Sequence, residues 1–273
     1  MIKHIFSDMD NTLLDSQGHL SEHNATVIKS THIPFTLVSA RAPMEMMFAI
    51  NQLHLATPQI AFNGGLIFSM ENRRLVPLVA NSIETTVVQQ ILGKLGQRFP
   101  TVSVSCYGQN CWYAEKIDQG ITTESRLTGQ SPTLTSFSQL LNQPQLHIFK
   151  IMMMFDEEQT LHHVQDYFLK MDLPGIIFQQ SGPVYLEVTS ALAQKSVGIH
   201  FIQEREHLQT EELPAFGDGH NDLPMLNSVG HPIVMANANP EIKQIAEFIT
   251  TDNDSNGVAY GIQHLLAAEK RKL

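Results

Sequence analysis

Short apolar runs that stop abruptly at polar residues alternate along the chain with longer stretches of helical spacing. Ile5-Phe6 leads into Ser7-Asp8 and reads as a short strand. Ser21 reads as the N-cap of a helix that starts at Glu22. Phe35 to Val38 is a second buried-strand pattern, and Pro43 opens a helix running through Leu53. Gln59 to Phe62 is a third strand, closed by the turn signal Asn63-Gly64-Gly65. The same grammar returns near the end. Leu213 to Phe216 is strand-like, Asn221 to Asn227 helix-like, Pro232 to Met235 strand-like and Glu241 to Phe248 helix-like. Val258 to Lys270 reads as a closing helix. Such alternation predicts a mostly parallel sheet covered on both faces.

The middle of the chain follows another pattern. Val102 to Tyr113 reads as a hairpin around Tyr107-Gly108-Gln109-Asn110. Gln145 to Phe155 is a long strand, and Glu157 to Met171 is helical. Gly175 to Gln180 and Val184 to Val188 form a second hairpin through Ser181-Gly182-Pro183. Hairpins with a few helices predict an α+β unit. The expected organisation is therefore an α/β, Rossmann-like parallel-sheet core of residues 1–81 and 189–273, with an α+β domain inserted at 82–188.

At 273 residues, 42% of them hydrophobic, the chain is long enough to bury a sizeable core. Seventeen basic residues against 27 acidic ones give a net charge of −10, which argues against general nucleic-acid or anionic-membrane binding. Cys106 and Cys111 are too few for a disulfide framework or a cysteine-built zinc site. Two aspartates interrupt the opening MIKHIFSDMD where a signal peptide needs its apolar stretch, and no apolar run is long enough to span a bilayer. The expectation is a cytoplasmic protein.

In parallel α/β sheets, ligands bind beyond the carboxyl ends of the strands. The first strand runs into Asp8-Met9-Asp10-Asn11-Thr12, the second into Ser39-Ala40-Arg41. The strand from Leu213 runs into Gly217-Asp218-Gly219-His220-Asn221-Asp222. Asp8, Asp10, Asp218 and Asp222 thus converge on one rim of the sheet, and Lys195 starts the helix that re-enters the core. Converging carboxylates repel, and a hard divalent cation offsets that repulsion, Mg²⁺ before Zn²⁺. Hydroxyls and backbone N–H groups after the second strand, with Lys195, are the partners a phosphate requires.

These motifs carry a resemblance. Asp8-x-Asp10-x-Thr12-Leu13, Ser39-x-Arg41, Lys195 and GDGHND at 217–222 resemble, in order and spacing, the four motifs of the haloacid-dehalogenase-like hydrolases. The position of the insert and the turn at Asn63-Gly64 resemble the Cof-type branch, with an α/β cap between the second and third motifs. Asn11 stands where that family has glycine, and Ala40 where it has the glycine of Thr-Gly-Arg. The resemblance implies a Mg²⁺-dependent phosphatase acting on a small phosphorylated metabolite. Asp8 is its implied nucleophile and Asp10 its general acid and base. Mg²⁺ falls to Asp8, Asp218 and the backbone carbonyl of Asp10. The phosphoryl oxygens fall to Ser39, Lys195, Asn221 and the N–H groups of Met9 and Ala40. Asp222 orients Lys195 or metal-bound water. Arg41 reads as bracing the site by an ion pair, with contact to substrate the alternative. The cap is expected to select the leaving group.

Two rivals share the same residues: a phosphosugar mutase with the same nucleophile, and a catalytically silent sensor of a phosphorylated ligand. Intact Asp8, Asp10, Lys195 and Asp218 argue against the sensor. Within the fourth motif, His220 reads as a surface residue rather than a ligand or second base; outside the motifs, His162-His163 reads as one helix face. Met152-Met153-Met154 reads as sheet and core, and Tyr107, Trp112 and Tyr113 as a cross-strand aromatic cluster or a pocket lining. The sequence leaves monomer and homodimer equally open.

Overall fold

The computed structural model of the chain describes residues 1–143 and 145–271. The first stretch holds β1 (Ile5–Ser7), a wide turn at Met9–Leu13, α1 (Glu22–Thr31), β2 (Phe35–Leu37), α2 (Pro43–Leu53), β3 (Gln59–Ala61), β4 (Leu66–Glu71) and β5 (Arg74–Ala80). Next come α3 (Thr85–Arg98), β6 (Ser103–Gly108), β7 (Trp112–Ala114), α4 (Gln119–Thr128), β8 (Thr133–Leu134), α5 (Phe137–Leu141), β9 (Ile148–Met154), α6 (Glu158–Leu169), β10 (Ile176–Gly182) and β11 (Tyr185–Ser190). The last stretch holds α7 (Lys195–Glu206), β12 (Pro214–Gly217), α8 (Leu223–Leu226), β13 (His231–Val234), α9 (Pro240–Lys243), β14 (Phe248–Ile249) and α10 (Gly257–Lys270).

The chain divides into two compact units. One comprises Met1–Arg41, Met46–Val79 and the chain from Gln194 onward; the other comprises Ala42–Glu45 and Ala80–Ala193. The crossings thus fall at 41/42, 45/46, 79/80 and 193/194, whereas the sequence pattern puts two, at 81/82 and 188/189.

The first unit is built on a parallel sheet ordered β14-β13-β12-β1-β2. Every residue of β1, β2 and β12 is buried, as expected of central parallel strands with both faces covered. Phe6 lies opposite Ala215 on one side and Thr36 on the other, so the carboxyl ends of these three strands finish level. The ladder continues past them: Asp8 N–H donates to the Phe216 carbonyl at 2.9 Å, and Val38 N–H to the Ser7 carbonyl at 2.8 Å. Phe6, Val38, Ile60, Ile199, Ile202, Ala215 and Met225 pack in one apolar core, which seats α7 and α8 on the sheet. Ser21 caps α1 by accepting from Asn24 N–H at 3.0 Å, and Pro43 is the first residue of α2. This is a Rossmann-like α/β core.

The other unit has a sheet ordered β10-β11-β9-β6-β7-β8, antiparallel except for the parallel pair β7–β8. Its strands alternate. Cys106, Ile151, Met153, Leu186 and Val188 share an apolar core with Val88 and Ile91 of α3 and Leu161, Val164 and Phe168 of α6. Among the alternate residues of the same strands are the polar Ser105, Tyr107, Lys150 and Glu187, with Met152 between them. Lys150 Nζ lies 3.6 Å from Glu187 and 4.6 Å above the Tyr107 ring. Burial pulls its ammonium down, but the carboxylates of Glu187, Glu45 and Glu124 outweigh burial and hold its pKa up. Tyr107 and Trp112 stack across strands, centroids 5.9 Å apart. No helix among the described residues is long and apolar enough to cross a membrane.

One expected element is corrected. Glu241 to Phe248 is not a continuous helix: α9 ends at Lys243, and Phe248 pairs with Ile233 as an edge strand. Ile242, Ile245 and Ala246 have helical spacing, but the Phe248 ring stacks on His264 of α10 at 3.9 Å, which keeps it in the sheet. Phe62 likewise leaves its strand, because it and Asn63 turn into the left-handed region (φ +50° and +54°).

Gly64 joins this turn to the chain ahead of α7. Its φ is +95°, and a Cβ there would lie 2.2 Å from the backbone carbonyl oxygen of Gln194. Backbone cannot swing aside as a side chain can. Gly64→Ala is therefore expected to cost about 2 kcal/mol or more, from overpacking and left-handed strain together. Urea unfolding of the variant checks this; an unchanged midpoint would show that the contact is relaxed at no cost.

Candidate active site

Asp8 leaves the carboxyl end of β1, the strand flanked by β12 and β2. Lys195, the first residue of α7, is fully buried, and its ammonium donates to Asp8 Oδ1 and, at 2.6 Å, to Asp222 Oδ1. The other oxygen of Asp222 accepts the N–H groups of Asp218 (3.0 Å) and Gly219 (2.9 Å), which curls the loop after β12. Both oxygens of Asp222 are thus committed within the protein. Asp218 Oδ1 accepts from Thr12 Oγ1 at 2.8 Å, tying the loop after β12 to the turn after β1. One oxygen from each of Asp8, Asp218 and Asp222 lies within 4.8 Å of the others.

Three carboxylates against one ammonium leave this buried cluster short of positive charge. The titration behaviour follows. Burial first, then the Asp222 charge, raises the Asp8 carboxyl well above its ordinary range, although Lys195 opposes them. Burial pushes Asp218 up to about 6, with the Thr12 hydrogen bond opposing and Asp222 adding to the rise. Burial alone would lower Lys195, but Asp222 and Asp8 outweigh it and hold the ammonium charged. Oxygen donors with unmet negative charge suit a hard divalent cation. Asp8 and Asp218 are the side chains with capacity to hold it.

The remaining expected residues surround this cluster. Asp10 is half exposed and turns to Arg41, which grips it with two donors: Nε to Oδ2 at 3.0 Å and Nη2 to Oδ1 at 2.6 Å. The bracing expected of Arg41 is thus applied to Asp10. Ser39 is buried just beyond β2; its hydroxyl accepts from Arg41 N–H at 3.1 Å and its carbonyl from Asn63 N–H at 2.8 Å. Asn221 donates to Asn63 Oδ1 at 3.3 Å. Met9 is buried and Ala40 half-buried. His220 is exposed and pairs with Glu241 at 2.5 Å, so it stands apart from the carboxylates. Thr12 and Asn63 are the partners that sequence reasoning left without a role. For Thr12 the signal was its place in the first motif, for Asn63 its place in the turn.

The family profile of the haloacid dehalogenase-like hydrolases matches residues 5–262. A Haemophilus influenzae protein carrying a provisional phosphatase name is 31% identical over 262 residues, covering 95% of this chain and 96% of its own. The Bacillus subtilis protein named 5-amino-6-(5-phospho-D-ribitylamino)uracil phosphatase is 25% identical over 303 residues, covering 98% and 99%. Among solved structures, a haloacid dehalogenase-like hydrolase from Bacteroides thetaiotaomicron superposes with a TM-score of 0.87 at 23% identity, covering 97% and 100%.

Removing the ammonium should show what it holds. Lys195→Met is expected to leave Asp8 and Asp222 facing each other in a buried site, at a cost of roughly 3–5 kcal/mol. Urea unfolding checks this, and a variant as stable as the parent at neutral pH would contradict it.

Proposed function

The chain belongs to the haloacid dehalogenase-like hydrolases, among relatives named as phosphatases, and from that membership we propose a Mg²⁺-dependent phosphatase. Its substrate is a small phosphorylated metabolite, a sugar phosphate or a similar phosphomonoester. The observation that carries the reading is the buried Lys195 bridge between Asp8 and Asp222, beside Asp218, at the carboxyl ends of parallel strands.

In this reading Asp8 attacks phosphorus, the bond from phosphorus to the ester oxygen breaks, and an aspartyl-phosphate forms. Asp10 gives its proton to the departing oxygen. It then takes a proton from water, which attacks phosphorus and releases inorganic phosphate and the Asp8 carboxylate. Lys195 holds Asp8 in place and, with Ser39, Asn221 and the N–H groups of Met9 and Ala40, receives the phosphoryl oxygens. Asp222 keeps Lys195 charged and aimed. Arg41 holds the Asp10 carboxylate in the resting site; once substrate displaces that grip, Asp10 takes from solvent the proton it delivers. Asp8, Asp218 and the Asp10 carbonyl would hold Mg²⁺, whose positive charge would let an ionised carboxylate meet an anionic phosphate. The core of residues 1–81 and 189–273 carries this chemistry, and the inserted residues 82–188 select the leaving group.

Two outcomes test the proposal. Asp8→Asn is near-isosteric and is expected to abolish turnover of p-nitrophenyl phosphate while leaving the circular dichroism spectrum unchanged; retained turnover would refute the nucleophile. Chelation with EDTA is expected to stop turnover and added Mg²⁺ to restore it, so undiminished activity in metal-free enzyme would refute the metal requirement.

A further inference from the structure

The backbone between Asp10 and Leu14 makes an unusual step. Asp10 is extended (φ −72°, ψ 130°) and Asn11 is left-handed (φ +56°, ψ 8°), while Leu14 N–H closes a widened turn onto the Met9 carbonyl at 2.9 Å. Left-handed backbone is unfavourable for an L-residue, and asparagine tolerates it better than most. The step interrupts regular helical pairing, so carbonyls of the turn need donors from elsewhere.

Three carboxamides supply them. Asn237 Nδ2 donates to the Asn11 carbonyl at 2.8 Å, Asn24 Nδ2 to that of Leu13 at 3.3 Å and Asn253 Nδ2 to that of Leu14 at 3.0 Å. Two of the three are anchored by their oxygens. Asn237 Oδ1 accepts from Asn253 N–H at 3.2 Å, and Asn24 Oδ1 from Ala259 N–H at 3.0 Å. Asparagine suits this task because one short side chain both donates and accepts. The donors come from α1 and from the loops following β13 and β14, so the turn is pinned from separate elements.

We infer that Asn237 is a positioning residue for the phosphoryl-transfer turn. It acts on the peptide between Asn11 and Thr12 and touches no reacting atom. On one side of that peptide lies Asn11, which follows Asp10, and on the other Thr12, whose hydroxyl bonds Asp218. Orienting one peptide therefore sets two side chains of the site. The same bond offsets the strain of a non-glycine residue at position 11. The inference rests on the phosphatase reading for the reaction, but its geometry stands independently.

The test uses full-length Asn237→Ala and Asn237→Asp. The aspartate keeps an acceptor for Asn253 N–H but turns a carboxylate oxygen toward the Asn11 carbonyl, so it replaces the bond in question with repulsion, whereas the alanine simply removes it. Both variants are expected to lower kcat for p-nitrophenyl phosphate by up to about 10²-fold, the loss typical of a displaced catalytic group, with KM and melting temperature nearly unchanged. Backbone amides of residues 10–14 are expected to exchange about tenfold faster in deuterium, and those of the central strands at the parental rate. Unchanged kcat and unchanged exchange overturn the inference. So does a loss expressed in KM, or failure of both variants to fold, since each assigns Asn237 a different role. If the parent protein turns over no phosphomonoester, the exchange measurement decides the positioning on its own, and only the phosphatase reading falls.

Discussion

Buried charge out of balance governs this structure. Asp8, Asp218 and Asp222 are drawn together with a single fully buried ammonium, Lys195, to offset them. Such an arrangement is costly for folding, because each desolvated carboxylate loses water that a partner must replace. The fold replaces part of it: Asp222 accepts two backbone N–H groups from the loop it closes, and Asp218 accepts from the Thr12 hydroxyl. What stays unbalanced are Asp8 and Asp218, whose carboxyls are both held above their ordinary range. A nucleophile in that condition becomes effective when a cation completes its surroundings, which joins the charge deficit to the proposed chemistry.

The scaffold around this cluster is shaped to hold it. Three buried parallel strands finish level, so residues distant in sequence are delivered to one edge. Helix α7 starts with the lysine itself, and the chain just before it lies against Gly64, where no side chain fits. The left-handed turn after Asp8 is pinned by carboxamides from three directions. Each device restricts the backbone next to a charged group rather than the group directly.

Much of this was legible in the sequence because the signals are local. Ile5-Phe6 before Ser7-Asp8, and the strand before Gly217-Asp218, announce strand ends carrying carboxylates. Ser21 and Pro43 mark helix starts by their own chemistry. Phe248-Ile249 was not legible as a strand, since two residues carry no period and the pairing with β13 and the stacking on His264 arise only in the fold. The helical stretch from Glu157 to Met171 is plain, by contrast, and α6 follows it over Glu158–Leu169. At the site, Asp8, Lys195 and Asp222 were legible as members of one constellation. The clamp of Asn24, Asn237 and Asn253 was not, because an asparagine facing a distant carbonyl looks in sequence like any loop or helix asparagine.

The central claim is that Asp8 itself takes the phosphoryl group. Asp10→Asn keeps that nucleophile and removes the base needed for the second displacement, while p-nitrophenolate leaves without an acid. Acid quenching of this variant during reaction with p-nitrophenyl phosphate, followed by peptide mass spectrometry, tests the claim directly. The account predicts one phosphoryl group on the peptide containing Asp8, at Asp8. A phosphoryl group on another residue, or release of p-nitrophenol with Asp8 never modified, would contradict it.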